Sequence, residues 1–221
     1  MQASGLRFQG AIAMHLKAYE KPQGRNVFEA ILARRSVRAY ASVKPGPAAI
    51  NTLLEAAVRA PTAMHEEPWA FVVIQDKQIL KKLSDRAKPI FVKEVHHRYS
   101  QGASHSFEHL DQPDFDIFHG ANTLIVICAK PMGPFAAADC WLAAENLMLA
   151  ACDMGLGSCV IGSSASVLNI HKVKRELGIP DEYTAIAPII VGVPKEETAA
   201  TSRKEPLILA WKQNEASGPQ V

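Results

Sequence analysis

Between Asp139 and Met154 the sequence reads as one helix that is apolar almost all the way round. Trp141, Leu142, Ala144, Leu147, Met148 and Ala151 leave it little polar surface, and Gly155-Leu156-Gly157 ends it. A helix of that kind has no face to give to water and must be covered on both sides. It is therefore central, and the other elements have to be arranged around it.

Two short apolar runs rich in β-formers, Trp69 to Ile74 and Leu124 to Ala129, predict buried strands, and Ser158 to Ile161 and Thr184 to Val191 predict two more. Asn26 caps a predicted helix whose Phe28, Ile31 and Leu32 share a face, and the helix runs straight into Arg34-Arg35-Ser36-Val37-Arg38. Pro47 opens a second, with Ile50, Leu53, Leu54, Ala57 and Val58 at helical spacing, stopped before Pro61. A further helix is expected around Val167 to Leu177, closed by Gly178-Ile179-Pro180, and after Arg203-Lys204-Glu205-Pro206 comes a last apolar patch ending at Trp211. Helices and strands interleave without repeat or linker. A chain of 221 residues can bury about 70% of its unfolded surface, so a single domain over 26–221 is expected, preceded by an arm, 1–25, with little periodicity. The stretch Phe91 to His119 holds five of the eight histidines but no clean period, and is expected to be a capping or pocket-lining insertion.

Charge and cysteine usage narrow the function classes. Twenty-four basic against 22 acidic side chains leave a formal charge of +2, which supplies no global field for nucleic acid or an anionic membrane. No apolar run is long enough to span a bilayer, and Met1 to His15, with Arg7 as its only charged side chain, does not read as a secretory signal. Cys128, Cys140, Cys152 and Cys159 form no C-x-x-C pair and sit in apolar segments, so reduced, buried thiols and a cytoplasmic setting are expected.

The strongest local chemistry is the Arg34, Arg35, Ser36, Arg38 cluster. Guanidinium forks beside a hydroxyl suit a phosphate monoester, while the competing reading is a solvated helix end whose cations complement the dipole. His105 and His109 fall at i, i+4, but with His96, His97, His119, Asp114 and Asp116 the spacing is irregular, and no metal is assigned. Gly157-Ser158-Cys159 lacks the G-x-S-x-G elbow of a hydrolase. Gly155, Gly157 and Gly162 follow a helix, whereas a dinucleotide fingerprint follows a strand.

Four ordered segments together resemble the nitroreductase family of FMN-dependent oxidoreductases: Arg34 to Tyr40; Ala60-Pro61-Thr62-Ala63-Met64-His65-Glu66-Glu67-Pro68-Trp69; Asp139 to Gly162; and Leu177-Gly178-Ile179-Pro180 with Gly192-Val193-Pro194. The resemblance spans about Asn26 to Pro206. It implies an α+β fold, a central mixed, mainly antiparallel sheet flanked by helices in α/β/α layers, and an intertwined homodimer with FMN at the interface. By the same resemblance Arg34, Arg35 and Ser36 hold the phosphate and ribityl chain, Arg38 faces the flavin pyrimidine edge, and Pro61, Thr62 and Ala63 come from the other subunit beside the ring. Ile161, Gly162 and Ser163 bring backbone N–H groups near N5, and Arg203 and Lys204 complete the phosphate site.

The chain departs from the family where His65 and Glu67 replace its Asn and Gln. His65 is expected to keep a hydrogen bond near the flavin and to make redox poise or substrate choice pH-dependent. The implied reaction takes a hydride from NADH or NADPH and passes electrons to a flat acceptor, a nitroaromatic or quinone, in a ping-pong cycle without a side-chain catalyst. The alternatives are flavin fragmentation or dehalogenation on the same fold, or a flavin-binding module without turnover.

Overall fold

The computed structural model describes residues 24–98, 112 and 115–213, with 94–98 described by backbone alone. The arm up to residue 23, the side chains of His96 and His97, and His105, His109 and Asp114 lie outside the described residues.

The centre is a four-stranded antiparallel sheet in the order β1-β2-β4-β3, built from β1 (Trp69–Ile74), β2 (Thr123–Ala129), β3 (Gly157–Val160) and β4 (Thr184–Gly192). A parallel bridge from Ser36 to Ser158 lays the arginine segment along the outside of β3, which makes the sheet mixed and mainly antiparallel, as expected. β2 is buried along its whole length. Its period-2 alternation sends Ile125, Ile127 and Ala129 to one face and Leu124, Val126 and Cys128 to the other, and helices cover both.

On the first face lie α2 (Pro47–Ala57) and α4 (Ala136–Asp153), whose Leu53, Ala57, Ala143, Leu147 and Ala151 pack on Ile125, Ile127 and Ile189. Removing such side chains from water contributes about 1.5–3 kcal/mol each. The second face takes α3 (Lys77–Arg98), α5 (Ala165–Leu168) and α6 (His171–Leu177), through Leu83, Ala87, Val167, Leu168 and Val173. The result is the expected α/β/α layering around an α+β sheet.

Several expectations need correcting. β1 is an edge strand, with a single neighbour and only Ile74 fully buried, because nothing pairs with its outer side. α4 begins at Ala136, so Asp139 lies inside its first turn instead of opening it. The helix expected over Val167 to Leu177 is two helices. Asn169 interrupts it by donating to the Ala165 and Ala185 carbonyls and accepting from the Ala185 N–H, which ties the break to β4. α3 carries no expectation at all, yet it runs 22 residues and contains the start of the supposed insertion at Phe91. Its signal was Asp76, whose carboxylate accepts from the N–H groups of Gln78 and Ile79. Among the thiols, Cys128, Cys140 and Cys159 are buried and Cys152 half-buried, all unbridged. Burial pushes Cys128 up to about 11 and Cys140 up to about 12, so both are protonated at neutral pH.

α1 (Val27–Ala33) forms as its capping box dictates, with Asn26 and Glu29 bonding each other's backbone. Its apolar face, however, does not turn to the core of its own chain. Val27, Phe28, Ile31 and Leu32 are all exposed, and only Ala30 is buried.

Candidate functional site

The segment 34–40 is seated by two glycines. Gly157 and Gly192 face each other across the β3–β4 pair. A Cβ on Gly157 would stand 2.8–2.9 Å from three Val37 side-chain atoms, and one on Gly192 would stand 2.8 Å from Tyr40 Cδ1. The missing side chains form a notch that Val37 and Tyr40 fill, and the Val37 N–H donates to the Ser158 carbonyl at 3.0 Å. Tyr40 closes the turn by donating its hydroxyl to the Val37 carbonyl at 2.8 Å, and burial drives its phenol well above the usual range. With Val37 fixed inward, extended alternation leaves Ser36 and Arg38 facing outward. Gly157→Ala should therefore lower stability by about 1–3 kcal/mol through overpacking, read as a lower urea midpoint. Val37→Ala combined with it should recover most of that loss, and a strictly additive double variant would refute the notch.

Two cavities open on either end of this segment. The first, about 400 Å³, is lined by Arg25, Arg34 and Arg35 with Ser158, and also by Glu196 and Glu197. Arg34 Nε pairs with Glu145 at 3.5 Å. Arg35 reaches back to the end of α1, its Nη1 donating to the Leu32 and Arg34 carbonyls at 2.6 and 2.8 Å, which is the helix-end reading of that cation. Among the described residues, buried Arg35 Nε has no hydrogen-bond partner. A buried guanidinium donor of this kind beside Arg34 fits an anion at the arginine side of the cavity rather than at Glu196 and Glu197.

The second cavity, about 340 Å³, brings Arg38 together with Ile161, Gly162 and Ser163. A Cβ on Gly162 would meet no atom within 4 Å, so the glycine keeps the cavity wall flat where backbone meets the open space. Phe91, Phe115, Ile117 and His119 form the opposite side. Cys159 also lines it; burial raises its thiol pKa, while Arg38, the Ser36 hydrogen bond and Arg34 pull the other way.

The other sequence-derived candidates lie elsewhere. Pro61, Thr62, Ala63 and His65 occupy a turn after α2 that lines neither cavity of its own chain. Met64, His65 and Glu67 all have φ between 45° and 56°, in the left-handed region. Buried Asp139 holds this turn, accepting the Ala63 N–H on both carboxylate oxygens at 3.3 Å. Arg203 and Lys204 sit on an exposed extended segment, where Arg203 donates to Thr201 and Ser202. The sequence marked the whole stretch Phe91 to His119 as capping or pocket-lining without picking out Phe91, Phe115 or His119 within it. The turn signal was the His119-Gly120 pair, both at positive φ just before β2.

The Nitroreductase family model matches residues 31–193. A protein of Archaeoglobus fulgidus, described as a candidate NADH dehydrogenase/NAD(P)H nitroreductase, is 29% identical over 172 residues, covering 76% of this chain and 84% of its own. An iodotyrosine deiodinase of Thermotoga neapolitana is 24% identical over 182 residues, covering 79% and 92%. Among solved structures, a nitroreductase with bound FMN from Bacteroides fragilis superposes with a TM-score of 0.69 at 29% identity, over 86% of this chain and all of that one.

Proposed function

The chain belongs to the nitroreductase family, and we propose that it binds FMN and works as an NAD(P)H-dependent oxidoreductase that passes electrons to a flat acceptor in a ping-pong cycle. The observation that carries this reading is the single extended segment with Arg34 and Arg35 at one cavity and Arg38 at the other. Four residues of extended chain cover roughly 13 Å, which suits a ligand with a phosphate at one end and a ring at the other.

When bound, FMN supplies the hydride chemistry. The chain's part is binding, orientation and charge. Arg34, with the orphaned Arg35 Nε, holds the phosphate dianion, and Ser36 offers a hydroxyl between the two cavities. Arg38, which lines the second cavity, would hold the ring end of FMN and would favour negative charge there. The Ile161 N–H, expected to face the flavin, instead donates to the Pro188 carbonyl at 2.9 Å, so the N–H groups of Gly162 and Ser163, at the start of a short helix, are the ones that would meet the ring. Pro61, Thr62, Ala63 and His65 complete the site from a second copy of the chain, and Arg203 and Lys204 close the phosphate end. No side-chain nucleophile or base is required. The likeness to an iodotyrosine deiodinase favours reductive dehalogenation as the second reading, told apart by iodide release from an iodophenol under reducing conditions.

The test is the visible spectrum of the purified protein, taken before and after anaerobic NADH and then NADPH, with the released cofactor identified by mass. A yellow protein that releases FMN and bleaches is the expected result. Protein that takes up no FMN overturns the reading.

A further inference from the structure

Backbone strain is concentrated in the turn after α2. Among the described residues four non-glycines have positive φ, and three of them, Met64, His65 and Glu67, fall in this one turn. Each such conformation costs free energy and persists only where the surroundings enforce it. Met64 is 86% exposed, and His65 and Glu67 are exposed as well, so burial of these side chains in their own chain does not offset the cost. The turn closes on itself through the Glu66 N–H, which donates to the Ala63 carbonyl at 3.1 Å.

Its shape is set from the two ends. On the far side the Lys130 N–H donates to the Pro68 carbonyl at 3.2 Å, which continues the β1–β2 ladder. On the near side the anchor is a single side chain, the Asp139 carboxylate, which accepts the Ala63 N–H on both oxygens at 3.3 Å. Asp139 lies in the first turn of α4 and is 3% exposed. A carboxylate at a helix start can complement the dipole from the surface, whereas burying it costs free energy unless hydrogen bonds satisfy it. Among the described residues the Ala63 N–H is the one hydrogen-bond donor that reaches it. The place of Asp139 in the core is therefore tied to the turn.

We propose that Asp139 is a positioning residue for the flavin site of the other chain: through the Ala63 N–H it holds the strained turn Pro61 to His65 in the shape that meets the partner's ring. The inference rests on the flavin reading above. Asp139 touches no flavin itself. It acts across the dimer, because the turn it fixes belongs to one chain and the arginine segment that holds the cofactor belongs to the other.

FMN titration is the readout. Asp139→Ala should bind FMN at least about tenfold more weakly, since a hydrogen bond to a charged group is lost, and Asp139→Asn, which keeps an oxygen for the Ala63 N–H, should recover most of that loss. Ala63→Pro removes the same hydrogen bond from the donor side without touching α4. Thr62 before it is already extended, at φ −129° and ψ 148°, as a residue preceding proline has to be. This variant should weaken FMN alike. The next step places the defects in different chains, by co-expressing two differently tagged chains and isolating the doubly tagged dimer. With Arg34→Glu in one chain and Asp139→Ala in the other, one site keeps both its arginine and its turn, and one site of wild-type affinity per dimer is expected. With both substitutions on one chain and none on the other, each site is damaged and none is expected. One intact site in both arrangements overturns the proposal, because Asp139 then has no part in binding. One intact site only when the substitutions share a chain also overturns it, because Asp139 then acts within its own chain, as general loosening of the fold would. Failure of the flavin reading is seen separately, as wild-type protein that takes up no FMN or yields no doubly tagged dimer, and the proposal falls with it.

Discussion

Arg34→Glu is expected to leave the protein folded and empty of FMN. The Arg34 side chain is partly exposed and its ion pair with Glu145 is a surface contact, so reversing it should change stability by no more than about 1 kcal/mol. The effect on the phosphate is far larger. Each hydrogen bond to a charged group contributes about 1.5–3 kcal/mol, and the variant replaces attraction by repulsion from both the new carboxylate and Glu145. A loss of at least about 3 kcal/mol, or roughly two decades in Kd, follows. The flavin-to-protein ratio after gel filtration reads the binding, and the urea midpoint reads the fold. Unchanged flavin occupancy would refute the phosphate assignment. Arg35 offers the contrast. It already donates to the carbonyls at the end of α1, so Arg35→Ala should lower the urea midpoint as well as weaken FMN.

That contrast shows what the sequence could and could not disclose. The strands β2 and β4, and the helices α2 and α4, were legible because burial imposes a period or an unbroken apolar run on the residues themselves. Arg34, Arg38 and Gly162 could be picked out as candidates because they fall in short motifs, and they line the two cavities. What escaped depends on contacts distant in sequence. The split between α5 and α6 comes from Asn169 bonding to Ala185, sixteen residues away. The seating of Val37 depends on the notch that Gly157 leaves far along the chain. Asp139, expected as a helix start, instead accepts the Ala63 N–H from 76 residues away. α3 went unnoticed because its lysines masked the buried Leu80, Leu83 and Ala87. His119 was one histidine of a stretch expected to cap or line a pocket, and only its turn shows which side of the cavity it takes.

The largest effect on assembly is expected from two charges on α1. Phe28 and Leu32 lie one turn apart and are 77% and 72% exposed, which a helix with a buried role does not permit. The end of the chain repeats the pattern, with Leu207, Leu209 and Trp211 all exposed, and Trp141 and Leu142 keep one side of α4 uncovered. Apolar patches of this extent call for a partner. A second copy of the chain, as proposed, would satisfy them symmetrically and would also account for α4 being apolar on more sides than its own core covers. In a two-fold dimer each substitution acts twice. Phe28→Glu with Leu32→Glu should therefore remove about 6–12 kcal/mol of association free energy, more than about four decades in Kd, and sedimentation should show a monomer. The same variant should lose FMN although neither residue lines either cavity, because on the proposed reading the Pro61-to-His65 turn that completes the site comes from the partner. A monomer that retains full flavin would separate the two ideas: the α1 face would stand as the interface, and the turn's place beside the ring would fall. A variant that remains dimeric would move the interface away from α1 and leave its exposed face to some other occupant.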